Sequence, residues 1–156
     1  MPGRIFQQSL ARALNMVREI TWNLHLNSSP EKVFGFLTTR KGREKFWAVS
    51  APCINQHIHF TFPNGRQYRS EILSVVPFSR FKIEYFNSVV AFSLRSDSSG
   101  GTDLVLLNSE VPENEFNEVH AGWVSLLLTL KAAVDFEVDL RNHDRDRTWD
   151  QGYADN

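Results

Sequence analysis

Five histidines, one cysteine and a group of acids near the C-terminus are the side chains here whose types suit chemistry. His57 and His59 stand two apart, so an extended segment presents both imidazoles on one face, a two-ligand start for a metal. A catalytic metal needs a third ligand and an open position. No third His, Cys, Asp or Glu stands close by, and Cys53 precedes the segment, so no metal site is expected. His143, Asp144, Asp146 and Asp150 are metal-like by type, but their spacing does not fit the calcium loop, which needs a Gly at its sixth position and a Glu at its twelfth. Arg141, Arg145 and Arg147 interleave with them and predict local ion pairs instead. Cys53 has no cationic pair beside it to lower its pKa. Neither a nucleophile elbow, a phosphate-binding loop nor a dinucleotide fingerprint occurs, and no cofactor is expected. His120 is the remaining candidate. It stands on the apolar side of a helical pattern, one turn before Trp123, as an acid or base if a cavity lies there and as a boundary histidine if not. Glu71 or Glu84 would partner it only in a different strand frame.

The elements that must position these residues belong to a chain of 156 residues with 17 basic and 18 acidic side chains. That length predicts one domain. A hydrophobic fraction of 42% and a charged fraction of 22% are ordinary for a folded protein. The net charge of −1 removes the general electrostatic case for nucleic acid. No run of about 18 apolar residues is expected to span a membrane. A single cysteine precludes an internal disulfide and fits a reducing compartment, so a cytoplasmic protein is expected. Charge is uneven: residues 1–82 hold 12 basic and 4 acidic side chains, residues 83–156 hold 5 and 14. Such asymmetry steers a charged partner, or reflects two halves of one fold facing each other.

Residues 1–17 read as an N-terminal extension or short helix, with Phe6, Leu10, Ala13, Leu14 and Val17 at helical spacing. The segment lacks the apolar core of a secretory signal. Ile20, Trp22, Leu24 and Leu26 then alternate with polar residues as a half-buried strand. Ser29-Pro30-Glu31 starts a helix, with Ser29 as N-cap. A second short helix is expected over about Arg40 to Phe46. Strands follow over Ile54 to Phe62, Gln67 to Val76, Arg80 to Phe86, Val89 to Arg95 and Thr102 to Ser109. Pro63-Asn64-Gly65 marks a hairpin. A long helix from Pro112 to about Leu140 carries Phe116, Val119, Trp123, Leu126, Leu127, Leu130, Val134 and Val138 as one stripe. The polar tail, 141–156, contains Trp149 and Tyr153, which predict docking on the domain.

This order, with the segments WNLHLNSSPEKVFGFL (22–37), REKFWAVSA (43–51) and EVHAGWVSLLLTLKAAVDFEVDL (118–140), resembles the START-like superfamily, also called SRPBCC or helix-grip. Within it the chain resembles the branch of the activator of the heat-shock protein ATPase, including uncharacterised bacterial members. The resemblance implies an α+β fold over residues 18–140: a curved antiparallel sheet of about six strands gripping the long C-terminal helix, with two short helices after the first strand. It also implies a cavity between sheet and helix. Trp22, Phe60, Tyr68, Ile72, Ile83, Tyr85 and Leu104 would line it from the strands, and Phe116, Val119, His120, Trp123, Leu127 and Leu130 from the helix. Three functions follow as expectations. The first is non-catalytic binding of a lipid, sterol-like, polyketide or aromatic molecule. The second is a chaperone-ATPase-regulating module in a stress response. The third is a cyclase, dehydratase or hydrolase using His120. The partner expected is an apolar small molecule, or a chaperone or other protein, with the chain a monomer or homodimer.

Overall fold

The computed structural model describes residues 16–156; the extension or helix expected over residues 1–17 lies outside them up to residue 15, and Val17, read at helical spacing, instead opens a strand. The period-two segment forms strand β1 (Val17–Leu26), with Ile20 and Leu26 buried and the odd positions Thr21, Asn23 and His25 exposed. Helix α1 (Pro30–Thr38) starts as its sequence predicts: Pro30 opens it and the Ser29 hydroxyl accepts a hydrogen bond from the Lys32 amide. Helix α2 (Arg40–Arg43) is one turn, shorter than the expected Arg40–Phe46, because the chain turns back after Arg43 and buries Phe46 and Trp47.

The sheet has seven strands, one more than expected. The stretch read as one strand from Ile54 is two: β2 (Cys53–Ile54) and β3 (His57–Thr61), split by Asn55 and Gln56 in the left-handed region at φ 52° and 61°. Asn favours such a turn and Gln does not, so the sequence signal is only half present. β4 (Gln67–Val76), β5 (Arg80–Tyr85), β6 (Ser88–Ser96) and β7 (Thr102–Pro112) complete the order β1-β7-β6-β5-β4-β3-β2. All pairings are antiparallel. One face turns inward throughout, because a period of two locks the frame wherever one face is buried. His57 and His59 point outward from β3.

Helix α3 (Phe116–Phe136) follows a short 3-10 turn over Glu113–Glu115. It is about 32 Å long at 1.5 Å per residue, not the longer rod expected. Glu137 ends it in a left-handed conformation at φ 57°, which leaves Val138 and Leu140 exposed and outside the stripe. By length and composition alone Glu113–Phe136, at mean hydropathy 1.3, is apolar enough to cross a membrane, which corrects the expectation that no such run exists. Its stripe is instead spent on the sheet: Trp123, Leu127, Leu130 and Val134 are buried in one core with Ile20, Ile83, Phe92, Leu104 and Leu106. Burial of that kind contributes about 1.5–3 kcal/mol per large side chain.

Two polar anchors hold α3 in place. The Asp135 carboxylate accepts hydrogen bonds from the amides of Asn27 and Ser28 and from the Ser28 hydroxyl. Burial pushes its pKa up, but these bonds and Lys131 outweigh it and leave the carboxyl below its usual range. Beyond α3, the Arg141 guanidinium donates to the carbonyls of Ala48 and Glu44 and pairs with Asp139.

Candidate functional site

Every strand position proposed for the lining faces the helix side of the sheet. Register shows why. Trp22 lies opposite Leu106, Leu24 opposite Leu104, Ile83 opposite Val90, Ile72 opposite Ile83, and Phe60 opposite Tyr68. Phe60, Ile83, Leu104, Trp123, Leu127 and Leu130 are buried, while Trp22, Tyr68, Ile72, Tyr85, Phe116 and Val119 are partly buried against them.

The structure sorts these side chains into two groups. In the centre, Tyr85 meets Phe60 and Trp123 at ring distances of 5.6 Å each and Tyr68 at 6.0 Å. Trp47 sits among them, 5.0 Å from Phe60 and 5.7 Å from both Tyr85 and Phe92. These rings form one aromatic cluster between the sheet and α3. On the β1 side of α3, His120 is sandwiched: its ring stacks on Trp22 at 4.7 Å and on Phe116 at 5.2 Å, and the Arg18 guanidinium covers Phe116 at 3.6 Å. His120 makes no hydrogen bond or ion pair among the described residues. Glu84 is engaged elsewhere, and Glu71 is exposed on the outer face of β4.

Polar atoms thread the apolar centre. Asn108 is 1% exposed. Its amide donates to the Ser88 hydroxyl at 2.8 Å and to the Val89 carbonyl at 3.1 Å, and its oxygen accepts from Trp123 Nε1 at 2.9 Å. Trp47 Nε1 donates to Tyr85 Oη at 3.2 Å. Burial holds the Tyr85 phenol far above its ordinary pKa, so it stays protonated. Among the described residues two inward atoms have no partner: the indole nitrogen of Trp22 and the hydroxyl of Ser70, a residue with 0% exposure. The sequence reading singles out neither Asn108, Ser70 nor Trp47. Asn108 shares phase with Leu104 and Leu106, and Ser70 with Tyr68 and Ile72. A polar residue in an apolar phase was the signal available.

At one end the sheet parts. The β4–β5 ladder runs only from Ile72↔Ile83 to Val76↔Arg80. Before it, Tyr68 bridges the gap, its hydroxyl donating to Glu84 Oε1 at 2.5 Å and its ring stacking on Phe86 at 4.1 Å. Partial burial, then the Glu84 carboxylate, raise the Tyr68 pKa. Phe62 and Phe86 add rings to this rim, and Arg66 lies over Phe86. Among the described residues, two open surface hollows have volumes of about 310 Å³. One is lined by residues 59–61 and 67–69, the other by Glu118, Trp149, Gly152, Tyr153 and Ala154.

Outside this region the titratable groups form local pairs. His25 Nδ1 lies 3.0 Å from Asp103, and His143 Nε2 lies 2.7 Å from Asp139. Arg147 pairs with Asp144, as the tail pattern predicts. Among the described residues no group of three His, Cys, Asp or Glu is placed to hold a metal ion.

A twisted antiparallel sheet closed over a long C-terminal helix, with short helices confined to the first crossover, defines an α+β helix-grip protein. The family described as Activator of Hsp90 ATPase homolog 1-like protein matches residues 27–135, and the chain belongs to it. Solved structures share the fold. A Staphylococcus saprophyticus protein, SSP2350, superposes at a TM-score of 0.70 with 15% identity, covering 80% of this chain and 96% of its own. The Aha1 dimer of Colwellia psychrerythraea gives 0.68 at 21% identity, over 76% and 97%. DynU16, from the dynemicin biosynthetic locus, gives 0.67 at 15% identity, over 78% of this chain and 48% of its own. No curated protein matches at significance.

Proposed function

We propose that this chain binds an apolar small molecule bearing a hydrogen-bonding end, between the sheet and α3, without transforming it. The observation that carries this reading is the pair of unpartnered inward atoms, Trp22 Nε1 and Ser70 Oγ. Each costs about 1–3 kcal/mol of desolvation with nothing in return, a poor choice for an interior that serves stability alone. The polar string Trp123–Asn108–Ser88 adds further hydrogen-bonding atoms among apolar walls, the composition a small-molecule site needs. The rings of Trp47, Tyr85 and Trp123 already touch, so a guest is admitted by moving them apart. Binding therefore involves rotation of side chains rather than filling of a ready-made void. Lipid, polyketide or aromatic-metabolite chemistry all fit that description.

Native mass spectrometry of the protein purified from its own host tests this. The expected result is one discrete adduct that is lost on denaturation. Only the bare mass, repeated after incubation with host lipid extract, overturns the reading.

A second reading is a chaperone-ATPase-regulating module. It is favoured by the ring-filled centre together with the exposed apolar residues Leu73, Val75, Val76 and Phe78 around the β4–β5 turn. Stimulated ATP turnover by the host's Hsp90-class chaperone, lost on Val75→Asp with the fold intact, would support it. Unchanged turnover would exclude it. Acid–base work at His120 gains no support from its sandwiched, unpaired ring.

A further inference from the structure

The flank of α3 facing away from β1 is crossed by residues 141–156. Trp149 lies over Gly122, where an added Cβ would stand 3.9 Å from the indole, and its Nε1 donates to Glu118 at 3.1 Å. Ser125 donates to the Ala154 carbonyl. Opposite α3, Asn64 at the tip of the β3–β4 hairpin donates to Asp150 at 2.7 Å. The segment thus bridges α3 and the hairpin tip, two residues along the chain from Phe62, whose ring stacks on Phe60.

We propose that residues 141–156 form a hinged strap from α3 to the hairpin tip, and that a guest reaches the interior only when Trp149 and Asp150 lift. The proposal rests on the binding reading above. Its two ends are fastened unequally. The near end is firm: the Arg141 side chain is 6% exposed and is held by two carbonyls and Asp139. The far end is held more lightly, by exposed side-chain hydrogen bonds, one half-buried indole and one buried threonine, Thr148. The part that lifts is preformed. Thr148 and Gln151 cap the Trp149–Gln151 turn reciprocally, and the Asn142 amide bonds the Asp155 carbonyl at 2.7 Å. His143 at φ 56° and Gly152 at φ 89° are the backbone bends on either side. The strap therefore moves as a unit without unfolding the sheet.

The test uses the full chain, its Trp149→Ala/Asp150→Asn variant and a Gly122→Leu variant that props the indole off the helix. The probe is 1-anilinonaphthalene-8-sulfonate, followed by stopped-flow energy transfer from the tryptophans, with each trace scaled to its own amplitude because one variant lacks the Trp149 donor. Association and dissociation rates are both expected to rise at least fivefold in each variant. Amides of residues 148–153 in the native chain are expected to exchange at least tenfold faster than those of 123–130. Rates within twofold of native overturn the strap and leave interior binding standing. Equal exchange of strap and α3 overturns it likewise. No energy transfer in any of the three proteins overturns interior binding, and the strap with it.

Discussion

A guanidinium buried without a carboxylate is expensive, yet Arg43 is 1% exposed and has none bonded to it. It donates to the carbonyls of Ala51 and Leu37, and burial lowers its pKa from the ordinary value without threatening its charge. Arg43 is thus a structural rivet between the end of α1 and the loop into β2, although its sequence neighbours Arg40, Lys41 and Lys45 read as one basic surface. Ser70 is the opposite case, a buried hydroxyl with no bond at all. Ser70→Ala is expected to raise the stability of the free protein by about 1 kcal/mol, read by urea denaturation, and to reduce any adduct seen by mass spectrometry. A loss of stability with the adduct unchanged would show that Ser70 serves packing only.

The elements were legible where one period ran unbroken. Alternation placed Trp22 and Phe60 in phase with the buried Ile20 and Ile58, whereas Leu104 to Leu107 is apolar at every position and gives no frame, and α1 followed from Ser29-Pro30. Illegible were the places where backbone conformation and residue type disagree. Gln56 and Glu137 take positive φ without being Gly or Asn, and each ends an element that the pattern carries through. The central site was illegible for another reason: Trp47 reaches it from a loop, and no periodicity assigns a face to a loop residue. Glu137 offers a direct check. Glu137→Gly removes the Cβ that the left-handed cap disfavours, at an exposed position, and is expected to add about 0.5–1 kcal/mol to stability, measured as an upward shift of the thermal midpoint. An unchanged or lower midpoint would refute the cap argument.

At the scale of the molecule, the basic first half and acidic second half meet across the β1–β7 ladder, in Arg18–Glu113 and in His25 beside Asp97 and Asp103. Exposed pairs of this kind contribute little individually. The tail is held differently. Burial alone would push Asp139 up, but hydrogen bonds from Arg141 and His143 bring its pKa down to about 2. A depressed carboxyl stabilises the fold fully above its unfolded pKa near 4 and loses that contribution as pH falls through about 2. Tail amides are accordingly expected to lose exchange protection between about pH 4 and 2. Asp139→Asn should show the loosened tail already at neutral pH; protection identical to native there would remove Asp139 from the account.

The ladder joining first strand to last also sets the order of assembly. Leu26 pairs with Thr102 and Val17 with Pro112, and among the described residues β1 pairs with β7 alone. On a ribosome adding about 5–20 residues per second, β1 waits about 4–15 s for its mate to emerge. An interrupted message would therefore leave no smaller working domain, only an unclosed sheet whose oldest strand still shows Ile20, Trp22, Leu24 and Leu26 to water.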